Sequence, residues 1–68
     1  MESEALNMSI RKFLKSVGVR SQLEIEKAVS DALRSGAIKG NETFPARMIL
    51  EIDGLRLKVP FEGKIELE

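Results

Sequence analysis

Along the first half of the chain apolar residues recur at intervals of three and four. Leu6, Ile10, Phe13, Leu14 and Val17 form one set, and Ile25, Ala28, Val29, Ala32 and Leu33 a second. Each set makes one apolar stripe on a helix. The first predicts a helix over roughly residues 4–16, with Ser3 as cap, Glu4 in the first turn, Lys12 and Lys15 toward the far end, and Gly18 as a left-handed stop. The second predicts a helix opened by Ser21 and Glu24 as a capping box, with Val19 stapled onto Ile25, and closed by Gly36. The small Ala28 and Ala32 would let the first helix approach closely, across the short link Gly18-Val19-Arg20.

After Gly36 the period drops to two. Phe44, Ala46, Met48, Leu50 and Ile52 alternate with mostly polar neighbours, and Ile49 breaks the pattern. Asp53-Gly54 is a strong two-residue hairpin signal. It would set Ile52 opposite Leu55, Leu50 opposite Leu57 and Met48 opposite Val59 on one face, with Glu51 opposite Arg56 on the other. Pro60 belongs at an edge, a bulge or a strand end, because it cannot donate to a ladder. Beyond it, residues 64–67 either continue the second strand or fold back as a short third one; the third strand is preferred, since two strands shelter an apolar face poorly. The expectation is a single α+β domain over residues 1–68, two N-terminal helices packed on a small antiparallel sheet (ααβββ). Phe13 and Leu50 would lie in its core, where truncation to alanine costs about 2–5 kcal/mol.

Size sharpens this picture. A chain of 68 residues has room for one domain and little core, and self-association, giving a homodimer, is one way to add buried area. No cysteine or histidine is present, which removes disulfides, thiol nucleophiles, imidazole bases and the usual zinc ligands. No metal, cofactor or enzymatic activity is expected. Ser16 near Lys12 and Lys15, and Ser30 before Arg34, lack the desolvated pocket that a Ser–Lys pair requires. Capping and exposed helical pairing account for Glu24, Glu26 and Asp31 without chemistry. The acidic start Met1-Glu2-Ser3-Glu4 is not a signal peptide, and no apolar run is long enough to span a membrane. The expected location is the cytoplasm, and Asn7-Met8-Ser9 and Asn41-Glu42-Thr43 match the glycosylation pattern by chance.

Charge is balanced, with 11 Lys+Arg and 11 Asp+Glu, but unevenly placed. Arg11, Lys12, Lys15 and Arg20 precede the first acids of the second helical set, Glu24 and Glu26. These four bases are the candidate phosphate contacts of a weak, non-specific nucleic-acid binder. Against that stand the zero net charge, the lack of aromatic stacking partners, and two glutamates at the start of what would be a recognition helix. The favoured reading is a non-enzymatic protein-interaction or self-association module, with a homodimer or an unknown protein as partner. Its candidate contacts are Ile49, which points away from the expected hairpin core, and the loop residues Lys39, Asn41, Glu42 and Thr43. For the loop the favoured reading is a plain connector, in which Asn41 or Thr43 makes a local backbone turn.

Several segments together carry a family resemblance. They are Asn7-Met8-Ser9-Ile10-Arg11-Lys12-Phe13-Leu14-Lys15, Val17-Gly18-Val19, Ser21-Gln22, Glu24-Ile25-Glu26-Lys27-Ala28, Lys39-Gly40-Asn41-Glu42-Thr43, Glu62-Gly63 and Ile65-Glu66-Leu67. Through them the chain resembles a family of short uncharacterised bacterial proteins defined only as a domain of unknown function (family 6494). The resemblance covers nearly the whole chain and implies no catalytic motif. Val59-Pro60-Phe61 stands where that family has a short turn between its last strands, and the recurrence of Asn-Glu-Thr draws attention to the loop at 41–43.

Overall fold

A computed structural model describes residues 3–68; the acidic start at Met1 and Glu2 lies outside the described residues. The chain is α+β, but the described residues form one α-helix and two strands. Helix α1 is Glu4–Ser35, strand β1 is Thr43–Ile52 and strand β2 is Leu57–Glu66, with a 3-10 turn, Asp53–Leu55, between the strands. The structure divides into a helical unit ending at Ala37 and a hairpin unit, Ile38–Glu68. Among the described residues no helix is long and apolar enough to cross a membrane.

The expected ends of α1 form as the sequence indicates. Ser3 has extended backbone, and its hydroxyl oxygen accepts the Leu6 N–H at 3.2 Å. At the other end Gly36 takes φ 80°. Its N–H reaches the Leu33 carbonyl at 3.2 Å and the Ala37 N–H reaches the Ala32 carbonyl at 2.9 Å. Those two bonds are a Schellman closure, which needs the left-handed residue that glycine supplies at little cost.

The break expected at Gly18 does not occur. Gly18, Val19, Arg20 and Ser21 are all helical, and Gly18 has no positive φ. An interior glycine costs about 1 kcal/mol relative to alanine. A stop there would forfeit the backbone bonds of a full turn. Ser21 is therefore an interior residue rather than a cap, and Val19 has no staple to make.

Strands β1 and β2 pair antiparallel, with Phe44 opposite Ile65, Ala46 opposite Gly63, Met48 opposite Phe61, Leu50 opposite Val59 and Ile52 opposite Leu57. The expected register is corrected by two residues. Gly54 does not adopt positive φ; Arg56 does, at φ 53°, and its N–H closes on the Asp53 carbonyl at 3.0 Å. The loop is thus a four-residue one built on a helical turn and a left-handed residue, not a two-residue primed turn. A shift of two preserves the face of every side chain, because the pleat repeats every two residues. The apolar face survives intact, and Glu51 meets Lys58 in place of Arg56. Residues 64–66 continue β2, and among the described residues there is no third strand; Lys64 and Glu66 find partners in Pro45 and Thr43.

Each strand of the hairpin carries one proline. Pro45 and Pro60 lie opposite Lys64 and Ile49. A residue that cannot donate fits the ladder only where its nitrogen faces outward. Each outer edge therefore carries a proline where an added strand would need a donor, a common block to edge pairing.

No described residue is buried. Phe13 is 51% exposed and Leu50 half-buried, so neither is the core residue expected from sequence. The two glycines in and after α1 should respond oppositely to alanine. Nothing lies within 4 Å of a Cβ built at Gly18, so Gly18→Ala should raise helix stability by about 1 kcal/mol. Gly36→Ala should lower it by about the same amount through its positive φ. Thermal unfolding followed by circular dichroism reads both signs; destabilisation by Gly18→Ala would restore the two-helix arrangement.

Candidate functional site

Three surfaces collect the residues singled out from sequence. The first is the apolar face of α1. Because the helix runs unbroken, the two expected stripes merge. At 100° per residue, Leu6, Ile10, Phe13, Val17, Ser21, Ile25, Ala28 and Ala32 fall within an arc of about 120°. Leu14 lies within the same arc, as does Glu24, whereas Val29 and Leu33 of the second expected stripe fall outside it. Leu6, Ile10, Phe13, Leu14 and Ile25 are between 38% and 56% exposed. The continuity of this face was hidden at the sequence level by the glycine taken as a stop.

The same helix carries the four bases. Arg11 and Lys15 flank the apolar face on one side, Arg20 lies on the other, and Lys12 points away from it, so together they spread over about 180°. Glu24 follows Arg20 one turn later on its side of the helix. Glu26 lies on the side of Lys12 and Lys15 and accepts a hydrogen bond from Gln22 Nε2 at 3.2 Å. The one ion pair found among the described residues is Arg34 with Asp31 at 3.1 Å, exposed and local to the last turn. Exposed pairs of this kind contribute little.

The second surface is the hairpin. Its apolar side presents Phe44, Met48, Ile52 and Phe61, each between 37% and 56% exposed, around the half-buried Leu50, Leu57, Val59 and Ile65. Opposite charges meet across the ladder on the other side, Arg47 with Glu62 and Glu51 with Lys58. Ile49 and Pro60 sit between these pairs as a small apolar spot. Ile49 does face away from the apolar side, as its parity requires. A shallow open groove at Pro45, Ala46, Arg47, Glu62 and Gly63 marks where Ala46 opposes Gly63 and little side chain fills the face.

The third is the loop before β1. The Glu42 carboxylate accepts the Lys39 N–H at 2.8 Å and the Gly40 N–H at 2.9 Å, one oxygen to each. Gly40 has φ 108°, and the Glu42 carbonyl accepts the Leu67 N–H at 3.0 Å. Glu42 is therefore the tie of the loop, a part that sequence reasoning gave to Asn41 or Thr43. Its carboxylate is engaged by the chain's own backbone. Thr43 begins β1 opposite Glu66 and, like Lys39 and Asn41, is exposed. Among the described residues no group of His, Cys, Asp or Glu is placed to hold a metal ion.

The Lys39 and Gly40 N–H groups stabilise the charged form of Glu42 and hold its pKa below the ordinary carboxylate value. A lowered folded pKa means that the bonds favour the fold above the unfolded pKa and are lost as pH falls through the folded one. In an NMR titration the Lys39 and Gly40 amide protons should shift with a common midpoint below about 4.3, the usual glutamate value. Glu42→Gln should remove that titration. A midpoint at or above the ordinary value would contradict the loop geometry.

Neither a comparison with curated proteins nor one with solved structures returns a match. A family model does match, over residues 1–68, and its description is a family of unknown function. With the match spanning one helix, one tied loop and one hairpin, the chain belongs to the family of unknown function DUF6494.

Proposed function

We propose that the chain is a non-enzymatic protein-interaction module whose working surface is the apolar face of α1. One observation carries the proposal. No described residue is buried, and the apolar face of α1 leaves five large side chains exposed together: Leu6, Ile10, Phe13, Leu14 and Ile25. Large contiguous apolar surface on a folded protein marks a contact with another protein or a membrane. A protein partner is favoured over lipid because Lys12, Lys27 and Glu26 interrupt the remaining circumference with both signs of charge, whereas lipid-surface helices carry a mainly basic polar face.

Magnitudes support a contact of moderate strength. Fully burying one large apolar side chain contributes about 1.5–3 kcal/mol, and the face residues are already roughly half covered. Five of them then supply about 4–7 kcal/mol from one partner, against an association cost of about 4–15 kcal/mol. One helix face on a featureless surface would fail; a partner with a matching apolar face brings a similar sum of its own.

Nucleic-acid binding is the weaker reading. Its four bases are spread around the helix, Glu24 and Glu26 share their sides, and Phe13 belongs to the apolar face rather than to a stacking platform.

Capture on immobilised protein tests the proposal, with Ile10→Glu/Ile25→Glu as the comparison. The chain should retain a protein, its own free copy or another, and the double variant should lose it while keeping its helical circular dichroism. Retention of no protein that depends on the face would reject the module. Micromolar binding of DNA or RNA that survives physiological salt and disappears in Lys12→Glu/Lys15→Glu would replace it with the nucleic-acid reading.

A further inference from the structure

The hairpin has two open edges, and its ladder fixes which backbone groups stand on them. The Leu67 N–H donates to the Glu42 carbonyl at 3.0 Å, one step beyond the pair Thr43 and Glu66. Hydrogen-bonded and non-bonded pairs alternate along an antiparallel ladder. Even-numbered residues of β1 therefore bond inward to β2, and Thr43, Pro45, Arg47, Ile49 and Glu51 turn their backbone groups outward. Pro45 has no N–H to offer. Past it, Arg47, Ile49 and Glu51 form an uninterrupted run of donors and acceptors that bond to nothing among the described residues. The protein group that fits such a run is another extended strand.

Side chains select which strand. Arg47 stands beside Glu62, Ile49 beside Pro60 and Glu51 beside Lys58. Suppose β1 of a second copy is laid antiparallel on this edge, Ile49 level with its own equivalent. Arg47 then comes opposite Glu51 of the second copy, and Glu51 opposite its Arg47. Across four strands the row reads Glu62, Arg47, then Glu51 and Lys58 of the second copy, alternating in sign. The central row is Pro60 and Ile49 from both copies, apolar throughout. Opposed unlike charges favour a pairing and opposed like charges disfavour it. On the other face Met48 lies opposite Leu50 of the second copy. Ala46 lies opposite its Ile52, which brings a bulky side chain to the stretch where Ala46 and Gly63 leave a groove. Pro45 falls level with Asp53 of the second copy, in the turn outside the strand, so its missing donor breaks no bond within the ladder.

Neighbouring registers fail. Outward groups meet only when the copies slide by two residues at a time. A slide of two one way sets Pro45 opposite Glu51 and loses a donor at each end. The other way it sets Ile49 against Glu51 and carries Arg47 past the end of the facing strand. A slide of four sets Arg47 against Arg47, or Glu51 against Glu51. On the β2 edge, every antiparallel self-pairing with unlike charges opposed either sets Pro60 against a residue inside the strand or overlaps over residues 64–66 alone.

We propose that the outer edge of β1, at Arg47–Glu51, pairs antiparallel with the same edge of a second copy, centred on Ile49, and joins two hairpins into a four-stranded sheet. A lone two-stranded hairpin is marginal in water, and further strands sharing an apolar face stabilise it. The contact is isologous and closes at two chains. It uses no residue of α1.

Amide hydrogen exchange in the full chain tests this residue by residue. It is measured where sedimentation equilibrium gives at least about 15 kDa, twice the 7.6 kDa of one chain. The Arg47, Ile49 and Glu51 amides should exchange about tenfold or more slower than those of Glu62 and Lys64 on the other outer edge. Ile49→Pro removes the central outward donor and leaves the inward ladder intact, so it should abolish that protection while the Met48 and Leu50 amides keep theirs. Ile49→Lys keeps the donor but opposes like charges at the centre, and should abolish the protection as well, which gives the same readout if the proline variant fails to fold. Ile10→Glu/Ile25→Glu should leave the protection in place, because the edge contact does not involve α1. Free exchange at Arg47, Ile49 and Glu51 in the unaltered chain would overturn the inference. So would equal protection on both edges, protection that survives Ile49→Lys, or a monomeric mass at every concentration.

Discussion

The constraint on which everything else depends is the mismatch between apolar surface and the means to cover it within each unit. A single helix can turn its stripe only toward something else, and a two-stranded hairpin has two faces and no second layer. In α1 the intervals of three and four concentrate Leu6, Ile10, Phe13 and Ile25 on one side, yet each is at least 38% exposed. In the hairpin, parity does the same for Phe44, Met48, Ile52 and Phe61. The patterning is that of elements selected for burial, and neither unit supplies the burial itself.

Local chemistry secures what each unit can secure alone. Ser3 and Gly36 satisfy the helix ends, Glu42 ties the loop through two backbone amides, and the turn at Asp53–Leu55 holds the strands in register. Such contacts fix geometry at a net gain of about 1 kcal/mol each. They set the faces in place but do not replace a core. Pro45 and Pro60 each remove one donor from an outer edge of the hairpin, a common hindrance to strand addition.

Features that depend on neighbours in sequence were legible before the structure. The cap at Ser3, the end at Gly36, the change of period after it and the face of every strand residue follow from residue type and spacing alone. Where two local signals competed, sequence misled. Gly18 and Ser21 together look like a stop and a start, but the intact ladder outweighs the modest cost of one interior glycine. Asp53-Gly54 suggests a tight turn, but pairing two residues further along brings Phe61 opposite Met48 and Ile65 opposite Phe44, lengthening the apolar face. The third strand was an inference from the need for cover; that need is real, and a longer hairpin leaves it unmet. Glu42 escaped notice because its role depends on the loop's backbone path, which no spacing rule encodes. Of the candidate site, the basic residues and Ile49 lie where helical and strand periodicity place them, whereas the single apolar face of α1 emerges only once the helix is continuous.

If cover from outside completes the fold, stability must depend on how much of that cover is available. Binding partners that recognise only the folded chain stabilise it by mass action, and for self-association the partner is the protein itself. Thermal unfolding of the purified chain, followed over concentrations from about 1 µM to about 1 mM, measures this directly. The account predicts a midpoint that climbs steadily with concentration, with α1 and the hairpin gaining order together with mass. A midpoint that stays constant across the range, with a cooperative transition at the lowest concentration, would mean that one chain covers its own apolar faces and would contradict the account.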